Sequence, residues 1–306
     1  MSERVEQPGR RFTALAPAAR RSERTEAPRS VRRGLLKRFL RNRPGVLGLA
    51  VILLLILLAV FAPVVAPYHW KTQDIVNRFE GPSAAHLFGT DELGRDIFSR
   101  LLYGARYSLT IGIAAVAASF SIGTLLGIIA GFYHRFDTLV MRLIDVMMAF
   151  PGILLAIAIV AALGPGILNT IIAIGLNEIP GFARLTRSMV LTLREREFVV
   201  AARVVGASDA EIVRRHVLVN LMSPIVVFAS LRVSTAILVG ATLSFLGLGI
   251  QPPIPEWGAM VSTARQYIAT APHTFVYPTL AIFVTVVAFN LLGDALRDTL
   301  DPTVRD

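Results

Sequence analysis

The chain contains no cysteine. Disulfides, zinc–thiolate sites and a cysteine nucleophile are therefore excluded, and the redox compartment is left open. It has only two lysines, Lys37 and Lys71, and neither follows a glycine. The Gly-Lys-Ser/Thr loop that cradles nucleotide phosphates is thus missing, and ATP hydrolysis by that route is excluded for this chain alone. None of the five histidines falls inside a long apolar run: His69 and His86 precede Leu109, His134 and His216 lie in basic segments, and His273 sits at the edge of the last run. That argues against a Ser–His protease or a histidine metal site inside a membrane. Charge is also scarce. Asp, Glu, Lys and Arg make up 17% of residues, against about 25% in soluble domains.

Apolar residues are abundant instead, at 54%, with a mean hydropathy of +0.61. The net charge of +10 is almost all arginine. It lies in tails and loops between uncharged runs, which fits headgroup contacts and topology signals rather than nucleic acid. A helix needs roughly 20 apolar residues to cross a bilayer. The runs predict six helices, near residues 46–66, 109–132, 143–163, 167–184, 222–249 and 275–293, with Gly164-Pro165-Gly166 turning the chain between the third and fourth. Continuous runs of this length are helices, not the alternating strands of a barrel. The expectation is an all-α polytopic membrane protein.

Arginines and lysines set the orientation. Arg32, Arg33, Lys37, Arg38, Arg41 and Arg43 precede the first span, Arg135 and Arg142 follow the second, and Arg184 to Arg215 hold seven arginines after the fourth. The outer loop, about 67–108, is the exception, and loops of that length obey the rule less strictly. Both termini are placed in the cytoplasm. A cleaved signal peptide fits poorly, because the first apolar run and the tail before it are too long. Residues 1–30 have a disordered composition. Gly34 to Arg43 reads either as a short helix on the inner membrane surface or as an extension of the first span. The domain reading is a basic tail over 1–45, then a six-helix domain over 46–306 with a cytoplasmic loop at about 185–220.

That cytoplasmic loop carries the most information. Thr192 with Glu195, and Ser208 with Glu211, have capping-box spacing. Gly206 is placed to end a helix in the left-handed conformation. Helix, glycine turn, helix is the expected layout, with Phe198, Val199, Ala202 and Val205 on one face. A short apolar helix there either docks into a partner's groove or packs on its own bundle. The segment resembles the "EAA" loop of binding-protein-dependent ABC importer permeases, with Ala201, Ala202 and Gly206 at the matching spacing. Val200 stands where that family often has Glu, and Val219 where Pro often follows His216-Val217-Leu218.

Further blocks resemble the peptide/nickel branch of these permeases, in its C-type subunit. They are His86 to Asp96 continuing to Arg106, Leu243 to Gly249 followed by Gln251-Pro252-Pro253 and Trp257 to Met260, and Asn290 to Asp294 followed by Leu296 to Asp298 and Leu300 to Pro302. Arg41-Asn42-Arg43 also fits, and the likeness covers residues 34–304. The resemblance implies the type I importer transmembrane fold. It implies that Phe198, Val199, Ala201, Ala202, Val205, Gly206, Ala207 and Ser208 couple to an ATPase. It also implies a second permease subunit, two ATPase subunits that bind ATP and magnesium, and an extracytoplasmic solute-binding protein, in a bacterial inner membrane. No catalytic, cofactor or metal residue is assigned to this chain. Asp91, Glu92 and Asp96 read as a turn scaffold rather than a calcium site. Asp145 resembles a common family acid with a structural role. Glu178 and Arg232 lie inside spans and are the candidate pathway residues, or a pair. The alternatives are an ion-gradient-driven secondary transporter, whose inverted repeats are not visible, and a channel, whose filter motif is not found.

Overall fold

The computed structural model describes residues 37–300. The tail before Lys37 therefore lies outside the described residues, as does the end of the last sequence block. Residues 37–41 are helical and stop at Asn42. Asn42 caps the next helix, α1 (Arg43–Val60), by accepting the Gly45 N–H at 3.1 Å. The chain thus bends before the first span instead of extending it. A short helix α2 (Ala62–Val65) follows, and then the outer loop.

Helix α3 (Ile97–Phe132) runs for 36 residues, about 54 Å at 1.5 Å per residue. It begins well before the expected boundary at 109, so the outer loop ends near Asp96. Charged residues mark where a helix leaves the lipid, not where its hydrogen bonding stops. For the same reason α6 (Ile167–Leu193) extends past 184, and α11 (His273–Leu300) extends past 293.

The third expected span is corrected. Residues 143–163 are not one helix but parts of α4 (His134–Met148) and α5 (Gly152–Leu163), bent by 87° at the break. Pro151 has no N–H to continue the ladder, and α5 at 12 residues is about 18 Å long, too short for a core of about 30 Å. Among the described residues four helices are long and apolar enough to cross a membrane, or five if the bent pair is one span. Helix α6, at 27 residues, has the length but carries Asn177, Glu178, Arg184 and Arg187. It is covered by α3 and α9 (Leu218–Phe245) rather than by lipid alone.

The α3–α6 seam is closely packed. Gly123, Gly127 and Gly131 recur every fourth residue and so share one face of α3. A Cβ added at these positions would lie 2.6 Å from Phe182, 2.5 Å from Thr186 and 2.7 Å from Val190. Small residues let membrane helices approach closely where apolar burial gives no net driving force. Helix α11 packs on both α1 and α9, and Asn42 donates to Asp298 at 3.3 Å. The start of α1 and the end of α11 therefore lie together at one end of the bundle.

Candidate functional site

At that end, α6 runs into a helical elbow. Helix α7 (Glu197–Val204) is eight residues long and begins at Arg196 without a side-chain cap. The Thr192–Glu195 capping box does not form. Thr192 is still inside α6, and its hydroxyl donates to the Ser188 carbonyl at 3.2 Å. The C-terminal signal does form. Gly206 takes φ +93°, its N–H reaches the Arg203 carbonyl and the Ala207 N–H the Ala202 carbonyl, both at 3.0 Å. These two bonds make a Schellman closure, which needs a left-handed residue where glycine stands. Ser208 then caps α8 (Asp209–Ile212) by accepting the Glu211 N–H at 3.3 Å. A π-helical turn (Val213–Val217) leads into α9.

The expected shared face of α7 splits in two. Val199 is 0% exposed and packs with Ala202, Ala207 and Ile212 on the bundle core. Phe198 is 42% exposed and Val205 is 87% exposed. At 100° per residue Val199 points about 100° away from Phe198 and Val205. The outward stripe is Val200, Ala201, Val204 and Val205, with Val204 83% exposed. Sequence reasoning treated Val200 only as a departure and passed over Val204, although their four-residue spacing was a signal. Arg203–Asp209 at 3.6 Å and Arg215–Glu211 at 2.8 Å hold the rim of the elbow.

Glu178 and Arg232 come together midway along α6 and α9, with Glu178 buried and Arg232 partly exposed. Arg232 lies at the middle of the 28-residue α9, and its Nε is 3.5 Å from Glu178 Oε2 on α6. The guanidinium also sits 4.6 Å from the centre of the Phe228 ring. The pair opens onto a groove of about 410 Å³ beside the α4–α5 break, lined by Phe150, Pro151, Asn177 and Gly181 among others. Asp145 is elsewhere, paired with Arg184.

The opposite end is closed by its own charges. Asp91 accepts from Arg95 Nε at 2.7 Å and lies 3.3 Å from Arg100 Nε, and Glu92 accepts from Arg95 at 2.6 Å. Asp96 caps α3 through the Ser99 N–H at 2.7 Å and meets His86 Nδ1 at 3.0 Å. These carboxylates are engaged by arginines, backbone amides and a histidine, as a turn scaffold requires. Glu256 caps α10 (Trp257–Ala264), accepting the Ala259 N–H at 2.9 Å. Burial raises the Glu256 pKa, and burial followed by the Asp91 charge raises that of Glu92.

Residues 123–306, more than half of the chain, match the family model described as the binding-protein-dependent transport system inner membrane component. The chain belongs to this family. Residues 30–82 match a second model, the N-terminal TM domain of oligopeptide transport permease C. The permease is 48% identical over 89% of its length to the dipeptide transport system permease protein DppC of Alkalihalophilus pseudofirmus, covering 90% of that protein. It is 53% identical over 88% of its length to the glutathione transport system permease protein GsiD of Escherichia coli O157:H7, covering 89% of that protein. Its fold is similar to that of a chain in a structure of inward-facing conformations of the MetNI methionine ABC transporter, with a TM-score of 0.55 at 18% identity, over 66% of this chain and 97% of that one. It is a multi-pass permease component of an inner-membrane, binding-protein-dependent ABC importer. These likenesses give no support to an ion-gradient-driven secondary transporter.

Proposed function

We propose that this permease is one of two different permease subunits of an importer for short peptides, and that its cytoplasmic elbow takes the stroke of an ATPase. The observation that carries the reading is the stripe of Val200, Ala201, Val204 and Val205. It stands exposed on an eight-residue helix that is anchored from behind by buried Val199 and closed by Gly206. A short apolar helix held in this way is suited to a groove on another protein. Ala201 gives that groove close access to the backbone. Ala207 and Ser208 hold the turn, and Phe198 lies against His216 with ring centres 5.9 Å apart. ATP and magnesium belong to the ATPase subunits in this reading. This chain, whose lysines do not follow glycine, moves with them. Both termini face the cytoplasm, and a solute-binding protein delivers cargo to the opposite end. The names of the dipeptide and glutathione relatives support a small peptide as cargo.

The test is co-purification of the tagged chain in mild detergent, with mass spectrometry and an ATPase assay on the eluate. A second permease and ATPase subunits are expected with wild type. Val204→Asp with Val205→Asp is expected to lose the ATPases while keeping the second permease. Gly206→Pro is expected to lose activity, because proline cannot adopt φ +93° or supply the N–H that bonds to Arg203. A chain that purifies alone and transports without ATP would overturn the reading.

A further inference from the structure

The Glu178–Arg232 pair lacks the features of a finished structural salt bridge. Its 3.5 Å approach is longer than the roughly 2.7–2.9 Å of a charge-assisted hydrogen bond. The Glu178 side chain is 5% exposed and the Arg232 side chain 37%, so the carboxylate is shut in while the guanidinium still faces open space. Arg232 is the fifteenth of 28 residues in α9, about 20 Å from either end of that helix. Its ring partner Phe228, whose centre lies 4.6 Å from the guanidinium carbon, contacts the cation without using its donors.

The surroundings supply a path. The groove of about 410 Å³ at the α4–α5 break and a second of about 430 Å³ along α9 and α11 have Arg232 in common. The second is polar at Ser234 and Asn290, whose side chains bond to each other at 2.7 Å. Irregular backbone at membrane depth, such as the break at residues 149–151, is tolerated where it is buried in protein or lines a wet cavity. Both grooves are of ligand size. Arg232 is thus a cation with spare donors at the meeting point of two grooves, and Glu178 is its anchor.

We propose that Arg232 recognises a free carboxylate on the imported solute as it crosses the bilayer, with Glu178 holding the guanidinium in position. The planar fork of arginine suits a carboxylate. This rests on the reading of the chain as a peptide permease, and it assigns a specificity-determining residue within that pathway.

The experiment uses the complete importer in proteoliposomes, with binding protein, permeases and ATPases. The probes are dialanine and dialanine amide, and uptake is normalised to loaded binding protein. The wild type is expected to favour the free acid. Arg232→Gln is expected to cut the acid-to-amide ratio about tenfold, the size of one hydrogen bond to a charged group. Glu178→Gln, which removes the anchor of the guanidinium, is expected to lower the ratio as well, by less than Arg232→Gln, and this keeps the test open if Arg232→Gln fails to assemble. The exchange of Glu178→Arg with Arg232→Glu is expected not to restore the wild-type ratio. A ratio unmoved in Arg232→Gln or in Glu178→Gln, or restored by the exchange, would overturn the proposal in favour of a structural pair. Alanyl-aspartate amide separates the two sources of carboxylate. If its uptake depends on Arg232 as dialanine's does, any carboxylate is read; if it behaves like the amide, the chain terminus is read. Absence of ATP-driven uptake of every probe by the wild type would strike the peptide-permease reading itself, whereas uptake with an unmoved ratio strikes this inference alone.

Discussion

The loop between α2 and α3 and the elbow after α6 are both turn-rich segments between long helices, and they place their charged side chains in opposite ways. The outer loop buries charge and consumes it. Asp91, Arg95, Asp96 and Arg100 are each 4–6% exposed and bond to one another, to backbone amides or to His86. The elbow keeps its ion pairs at the rim and leaves valines uncovered, with Val204 and Val205 more than four-fifths exposed. Buried, paired charges support the loop's own fold, whereas rim charges around exposed valines leave an apolar surface on a rigid turn.

Removing one partner from the outer loop is the strongest way to test that difference. Arg95→Ala leaves the buried Asp91 carboxylate without its closest cation. It is expected to cost about 3–5 kcal/mol, seen as loss of folded material on gel filtration or a lower Tm in detergent. Asp96→Ala removes the cap of α3 and the His86 partner. About 1 kcal/mol or somewhat more is expected from the same Tm measurement. In the elbow, Val204→Asp with Val205→Asp is expected to change stability by no more than about 0.5 kcal/mol per site, with import abolished. A fall in Tm as large as that of Arg95→Ala would erase the distinction between the two regions.

The smallest effect is on pH. Glu92 and Glu256 are acids whose pKa is raised in the folded state by burial. Their ionised forms oppose folding above the ordinary carboxylate range, and that penalty is relieved as pH falls through the raised values. Amide exchange in the outer loop and at the start of α10 is therefore expected to slow modestly, relative to intrinsic rates, as pH is lowered from neutral toward the ordinary carboxylate range.

Much of the molecule is readable from residue order because the governing forces are local. Apolar runs exposed the spans, Gly206 exposed the turn, and Ser208 with Glu211 exposed the cap, since each depends on neighbours within a few residues. Thr192 misled because the same spacing occurs inside a helix, where its hydroxyl returns to the Ser188 carbonyl. The Gly123, Gly127, Gly131 stripe was in plain view, but its meaning depends on which helix lies against it. The valine face was split between bundle and solvent for the same reason: a helical wheel gives angles, and only the packed neighbour of Val199 says which angle is inside.

By itself the sequence determined that the chain lives in a membrane, which stretches hold most of its apolar helices, and that a glycine turn closes the elbow after α6, because hydropathy and backbone preference act over short stretches of chain. Only the tertiary structure decided that the third span breaks by 87°, that Val200 and Val204 face outward, and that Glu178 meets Arg232 beside that break. Pro151 marks the place of the break, but its angle, the outward face and the pair depend on side chains far apart in sequence competing for the same space, and no local pattern fixes the result of that competition.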